Sequence, residues 1–505
     1  MSLQSFTVYD MLVRNAQAYG ERTALVTEGG EQLDYRSLLE RVDRLAGGLA
    51  SAGLQAGDRL VVLAQNSTAY FELYFAAARQ GVVLYPLNWR WSAEEVAGSL
   101  GRADARGILI DAQYHEILPE SLSSDYVLKA QFDGEPVSGW STVESLYQGA
   151  PTDRPVVEGS DPFAIISTAA VDVVPRGAVL THTNVLTSSL MTIGEMGLGV
   201  DDGNLLFLPL FHVAALSGAL AVMHAGGKNV VMTGFDPVAA VTLIDEHGLT
   251  FIGDFPPILS TILDQAKAAG STLPSLRHVN GLDAPDTIQR LHAETNADFW
   301  TGFGQTETSG FVTIQRARDA LGSAGKAGPV CQVKLVDDYD NDVPVGTPGE
   351  IVVRGPVVFQ GYFAQPEVNE YTFRNGWHHT GDVGRFDEHG TLYYEKRKPE
   401  KELIKPGGEN VYPAEVERVI MELDGVRAVC VFGVPDSRWG EAVAAVVEAD
   451  EGAHVPEAVS EYVGGRIARF KRPHHVAFVD QLPRDDTGDV DRDAVKGDWA
   501  ARFSG

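Results

Sequence analysis

The sequence predicts an α/β protein with a large N-terminal domain and a small C-terminal one. The large domain is read as parallel-rich sheets with helices plus a small β-barrel-like part, and the small domain as α+β. Three observations predict this. Strand-like and helix-like segments alternate from about residue 33 to 300. From about residue 345 short strands with glycine turns replace them. A charged octet with a proline, Glu395 to Glu402, then precedes roughly a hundred residues with a helix and strands of their own. A chain of 505 residues exceeds one domain at roughly 100–200 residues each.

The elements follow in order. Leu38, Val42, Leu45 and Leu49 mark one face of a helix that Gly53 and Gly57-Asp58 end. Leu60-Val61-Val62-Leu63-Ala64 is a continuous apolar run, as in a strand buried on both faces. Asn66 or Ser67 caps the next helix, which stops at Gly81. Val82-Val83-Leu84-Tyr85 is a strand closed by Pro86, and Ser92 with Glu95 forms a capping box for another helix. Strand, helix, strand at this spacing implies a parallel sheet. Residues 164–166, 204–208, 229–232 and 250–252 are further strands. In the β-barrel-like part the strands are 349–355, 383–386 and 391–394. In the last hundred residues a helix at 414–420 and strands at 428–432 and 443–447 complete the set.

Composition excludes several classes. The formal charge is −29, from 69 acidic against 40 basic residues. Neither nucleic acid nor an anionic membrane is expected as a partner, since both need a basic surface. No apolar run approaches the ~18 residues of a membrane span. Cys331 and Cys430 lie far apart and form no metal-ligand spacing. Together with the absence of a signal-peptide pattern, this leads to an expected cytoplasmic location. Whether the chain forms an oligomer is left open.

The densest chemistry lies after the strand-like run Ala297-Asp298-Phe299-Trp300, at Phe303-Gly304-Gln305-Thr306-Glu307. A glycine turn there is expected to present a hydroxyl and a carboxylate. Mg²⁺ takes such hard oxygen ligands and completes its shell with phosphate and water. Taken alone, the pentapeptide is equally a polar turn.

With its segments in this order the chain resembles the AMP-forming acyl-CoA synthetases. They belong to the adenylate-forming superfamily of acyl-CoA ligases, peptide-synthetase adenylation domains and firefly luciferase. The resemblance implies ATP, Mg²⁺ and CoA as cofactors and a small carboxylic acid as substrate. It implies that the acid attacks the α-phosphate to give acyl-AMP, and that a mobile C-terminal domain then rotates so that CoA displaces AMP. It implies domains at 1–396 and 397–505, with a hinge at about 397–402.

It also implies roles for particular residues. Asp283, Ala284 and Pro285 belong to an adenine-wall loop that opens at Gly281-Leu282. Phe303 stacks on adenine beside Gly304, Thr306 holds the α-phosphate, and Glu307 holds the metal. Asp382 grips the ribose hydroxyls, and Arg397 is the second ribose contact. Thr168 and Arg176 belong to the phosphate loop. His212 borders the acyl pocket, with Val213 to Ala215, Asp254 to Pro256 and Gly302 as further lining. Gly407, Gly408, Glu409 and Asn410 line the CoA tunnel, where glycine lets backbone pass close to a thin thiol chain.

Three departures from the family pattern stand out. Thr168 to Ala178 carries three valines and Asp172 where a glycine-rich, phosphate-wrapping loop is expected. In Thr487-Gly488-Asp489-Val490, Asp489 stands in the place of the family's catalytic lysine. A cation there would bridge the acid and the α-phosphate, so a carboxylate should repel both. Lys405, Lys471 and Lys496 are the cations that could substitute. The segment from Arg397 to Gly407 is two residues longer than the family's, which puts the pivot at Glu402 or Glu400, with Pro399 held near its fixed φ. Two main readings stay open, with a family enzyme that uses another acceptor, such as a carrier-protein thiol or an amine, as the remainder. One is an AMP-forming carboxylate–CoA ligase, with a fatty acid as substrate by family analogy, whose adenylation is weakened or is supported by a substitute cation. The other is a degenerate member that binds nucleotide or acyl-CoA without turnover.

Overall fold

The computed structural model of the protein describes residues 5–120, 122, 125–168, 176–397, 403–449, 454–485 and 490–503. The hinge segment 398–402, the phosphate-loop residues 169–175 with Asp172, and 486–489 with Asp489 lie outside them.

Two large sheets form most of the N-terminal domain. One is nine-stranded, with Phe251–Asp254, His278–Gly281 and Asp298–Gln305 as parallel neighbours. The other is eight-stranded, with Arg59–Leu63, Val83–Pro86 and Pro162–Thr168 side by side and parallel. Helices Tyr35–Ser51 and Thr68–Gln80 lie between them. One buried cluster joins Leu25, Leu206 and Val231 of the first sheet to Leu60, Leu84 and Ile166 of the second. Leu38, Val42, Leu45 and Leu49 are all fully buried in it, each contributing ~1.5–3 kcal/mol of burial.

Local signals act as their chemistry requires. Ser67 Oγ accepts from Tyr70 N at 3.1 Å and caps Thr68–Gln80. Asn66 does not cap. Its amide spans the segment ahead of His212, donating to Leu208 O at 2.8 Å and accepting from Leu210 N at 2.9 Å. Ser92 and Glu95 form the full capping box of Ala93–Ala103.

A four-stranded antiparallel sheet follows, ordered Gln332–Val336, Gly349–Arg354, His378–Phe386, Leu392–Arg397. It packs against the hairpin of the first sheet through Phe303, Val312, Leu335, Ile351 and Leu392. One expectation changes here. Phe303-Gly304-Gln305 is strand, not turn, and the chain reverses at Thr306–Thr308. Gly304 permits this because a Cβ there would sit 2.2 Å from Gly310 O on the facing strand.

The small C-terminal domain has a three-stranded sheet, Val426–Asp436, Gly440–Ala449 and His475–Val479. Its residues alternate in the way a pleated strand dictates. Val429, Val431, Val443 and Ala445 pack under helices Pro413–Ile420 and Pro456–Gly464. Cys430, Phe432, Ala444 and Val446 pack on the other face with Leu482 and Val495. Among the described residues no helix is long and apolar enough to cross a membrane.

Candidate active site

The site lies where strand C-terminal ends open toward the small domain, the usual crevice for ligands in open α/β sheets. On one side, Thr306 and Glu307 occupy the turn after Asp298–Gln305. The Tyr362 hydroxyl donates to Glu307 Oε1 at 2.7 Å, and Phe359 N donates to the Glu307 carbonyl at 2.8 Å. Burial first, then the Glu307 charge, pushes the Tyr362 hydroxyl's pKa well up, so it stays a donor. The Arg176 guanidinium lies over the Tyr362 ring, 5.5 Å from its centre. Thr306, Glu307 and Arg176 are therefore brought together.

Asp382 is fully buried beside them. Its carboxylate accepts from Arg397 Nε at 2.9 Å, from Tyr394 Oη at 3.2 Å and from Gln305 Nε2. Burial disfavours the Arg397 charge, but Asp382 outweighs it and holds the guanidinium's pKa above its usual value. Gln305 also donates to Thr380 O at 3.0 Å, which links the strand carrying Phe303 to the one carrying Asp382. Phe303 is itself buried in the cluster beneath the antiparallel sheet.

The segment Asp283-Ala284-Pro285 leads from strand His278–Gly281 into helix Pro285–Glu294. Asp254, on the neighbouring strand, accepts at Oδ1 from Leu259 N at 3.0 Å, in the first turn of helix Ile258–Ala269. Burial, then Asp283, raises the pKa of the Asp254 carboxyl well above the carboxylate range.

On the other side, the small domain delivers its glycine loop. Gly407 and Gly408 have φ of +57° and +83°. A Cβ on Gly407 would meet the Trp439 ring at 2.9 Å, and one on Gly408 the Phe255 ring at 3.1 Å. The loop thus passes between the two domains where a side chain would not fit. Glu409 follows and is buried against the large domain. Asn88 Nδ2 donates to its Oε2 at 2.9 Å, and Arg90 Nη1 donates to Oε1. His212 Nε2 stands 3.7 Å from Oε2. Burial alone would raise the Glu409 pKa, but His212, Arg90 and Asn88 together lower it to about 2. Thr168, His212, Glu409 and Asn410 line one cavity at this seam.

Pattern reading did not find Asn88, Arg90, Gln305, Tyr362 or Tyr394. Asn88 and Arg90 follow a strand end at Pro86, which the crevice rule could have flagged. Of the lysines considered as substitutes, Lys471 is engaged by Glu95 and Glu415. Lys496 is on the exposed side of helix Arg492–Phe503. Lys405 is exposed, and desolvation, then the Arg397 charge, lowers the pKa of its ammonium.

A crevice at the strand ends with a buried acidic-basic pair, faced by a glycine loop from a second domain, fits an adenylate-forming type of enzyme. The family model described as AMP-binding enzyme matches residues 12–363, and that described as AMP-binding enzyme C-terminal domain matches 415–489. The chain belongs to this family of AMP-forming acyl-CoA ligases. It is 34% identical to a feruloyl-CoA synthase of Amycolatopsis sp, over 97% of this chain and 98% of that protein. It is 32% identical to the long-chain-fatty-acid–CoA ligase FadD13 of Mycobacterium tuberculosis, over 96% of each. Among solved structures, the o-succinylbenzoate-CoA synthetase of Bacillus subtilis is 25% identical, with 98% of this chain and 99% of that one covered. Its double mutant bound with a product analogue gives a TM-score of 0.85, and its complex with the acyl-adenylate intermediate gives 0.70. The shape of this chain is thus nearer to the product-analogue complex.

Proposed function

We propose that the protein activates a carboxylic acid as acyl-AMP and transfers the acyl group to CoA. The observation that carries this is the docking of Glu409 on Asn88, Arg90 and His212, which brings the glycine loop to the cavity that Thr168 also lines. In the first step a carboxylate oxygen attacks the α-phosphorus and pyrophosphate leaves. Phe303 and the loop Asp283-Ala284-Pro285 hold adenine, Asp382 and Arg397 hold the ribose, and Thr306 with Thr168 and Arg176 faces the phosphates. Glu307 fits a Mg²⁺ brought with ATP. Tyr362 orients one carboxylate oxygen, and the ion would complete its shell with phosphate and water. When bound, the ion offsets phosphate charge.

In the second step the thiol sulfur attacks the acyl carbon and AMP leaves. The Gly407-Gly408 passage admits the thiol arm. His212 borders the acyl group, with the Glu409 carboxylate 3.7 Å from its ring nitrogen. A small-domain rotation about residues 397–402 connects the steps.

The acid is either aliphatic, as in the long-chain ligase, or aromatic, as in the feruloyl-CoA synthase. A fatty acid is the working assignment. Asp489 supports a second reading, in which the scaffold binds nucleotide or acyl-CoA without turnover. Losing one preorganised contact at that position costs ~3–4 kcal/mol, roughly 10²–10³ in rate. The test is ATP-dependent AMP release over a panel of aliphatic and aromatic acids, with and without CoA, by the native protein and by Asp489→Lys. Turnover by the native protein establishes the ligase. Silence from it, with activity in Asp489→Lys, supports the binding protein.

A further inference from the structure

A second polar junction crosses the domain seam, with Glu415 and Lys471 lining the same cavity as Glu409. Lys471 of the small domain is 3% exposed. Its ammonium donates to Glu415 Oε1 and Oε2 at 2.8 and 2.9 Å, and to Glu95 Oε1. Glu415 is on the small-domain helix Pro413–Ile420, whereas Glu95 is on the large-domain helix Ala93–Ala103. The other oxygen of Glu95 accepts from Ala468 N at 2.9 Å and from Ser92 N at 2.7 Å. The Ala468 methyl is buried within a large-domain cluster that includes Val61, Val83 and Trp91.

These contacts divide by domain. Lys471 and Glu415 move together, so their bond survives any rigid rotation of the small domain. The bonds from Glu95 to Lys471 and to Ala468 N exist only in the orientation seen here. A buried ion group of this kind adds little net stability, because desolvation offsets its attraction. Its geometry nevertheless singles out one arrangement, since a rotated small domain leaves Glu95 without its cation.

We infer that Glu95 and Lys471 form a buried latch that selects the domain orientation in which Glu409 reaches His212. Both are positioning residues for the CoA-dependent step, a consequence that rests on the ligase reading. The latch explains why Ser92-x-x-Glu95 does more than start a helix. One Glu95 oxygen serves the cap and the small-domain backbone, and the other serves the lysine.

The experiment measures the distance between spin labels at Glu116→Cys and Glu457→Cys, both exposed, in a full-length background carrying Cys331→Ser and Cys430→Ala. Glu95→Gln keeps an acceptor for Ser92 N but removes the charge facing Lys471. The ratio of docked to undocked distances is expected to fall about tenfold, as for one lost charge-assisted hydrogen bond. Ser92→Ala weakens the cap while leaving the Lys471 contact in place, and should leave the ratio unchanged. A Glu95→Gln distribution that superimposes on the parent's overturns the latch, as does an equal response to Ser92→Ala. A kinetic arm adds that Glu95→Gln slows acyl-CoA formation about tenfold relative to acid-dependent pyrophosphate release. A parent that makes no acyl-CoA from any acid overturns the ligase reading instead, while the distances still judge the latch.

Discussion

Glu409 and His212 face each other across the domain seam, Oε2 to Nε2 at 3.7 Å. That is too long for a hydrogen bond and short enough for direct electrostatic contact between carboxylate and imidazole. Asn88 and Arg90 fix the carboxylate from behind, so its charge is committed to the histidine's side of the cavity. The loop that would admit CoA is thereby coupled to the residue expected to border the acyl group.

Replacing Glu409 by Gln should separate the two half-reactions. The amide keeps the volume but leaves Arg90 unneutralised and withdraws the charge from His212. Breaking a buried pair by removing one partner costs about 3–5 kcal/mol, so CoA-dependent turnover should fall by at least roughly 10²-fold. Acid-dependent exchange of pyrophosphate into ATP should be affected much less, because the partners of Glu409 are Asn88, Arg90 and His212 and not the residues placed on adenine, ribose and metal. Equal loss in both assays would contradict this division of labour.

The same carboxylate predicts how docking responds to acid. Its pKa falls from the usual 4.5 to about 2 when the seam is closed. A depressed carboxyl pKa contributes fully above the free value and is lost as pH falls through the depressed one. Docking should therefore hold above about pH 4.5 and weaken progressively toward pH 2. The interdomain spin-label distance, followed by pH in native protein and Glu409→Gln, checks this. The variant should show a smaller dependence, and identical curves would count against the assignment.

How much of this was legible follows from how far each contact reaches. The helix face Leu38, Val42, Leu45, Leu49 and the Ser92–Glu95 cap were readable because their partners lie within one or two turns. Thr306, Glu307, Asp382 and Arg397 could be picked out through the family resemblance, and the structure brings them to one crevice. What stayed hidden depends on distant partners. Asn88 meets Glu409 across 321 positions, and Lys471 meets Glu95 across 376. Nothing local in Asn88-Trp89-Arg90 signals a carboxylate. The Gly304 turn was misplaced for the same reason, since the need for glycine comes from the facing strand at Gly310.

Tyr362 offers a test of the nucleotide side. Its hydroxyl is a donor to Glu307 at 2.7 Å, and Tyr362→Phe leaves that oxygen without it. Losing a hydrogen bond to a charged group costs ~1.5–3 kcal/mol. If Glu307 holds the metal, the KM for Mg·ATP should rise about tenfold while the KM for CoA stays put. A shift confined to CoA would place Glu307 elsewhere in the reaction.

The large domain should also be acid-sensitive for a reason unrelated to catalysis. His182 is fully buried at the start of helix His182–Met196, where its Nδ1 accepts from Val8 N at 3.3 Å. Burial lowers its pKa from 6.5 to about 3. The native state therefore keeps this ring neutral while the unfolded chain protonates it. The resulting stability is complete above pH 6.5 and is lost progressively as pH falls toward 3. A shift of this size corresponds to several kcal/mol, at ~1.4 kcal/mol per unit. Denaturant unfolding of the native protein should thus weaken between pH 6.5 and 4. His182→Gln should be less stable at pH 7 but flatter across that range, because glutamine has no proton to gain. A variant whose slope matches the native one would show that other groups carry the acid sensitivity.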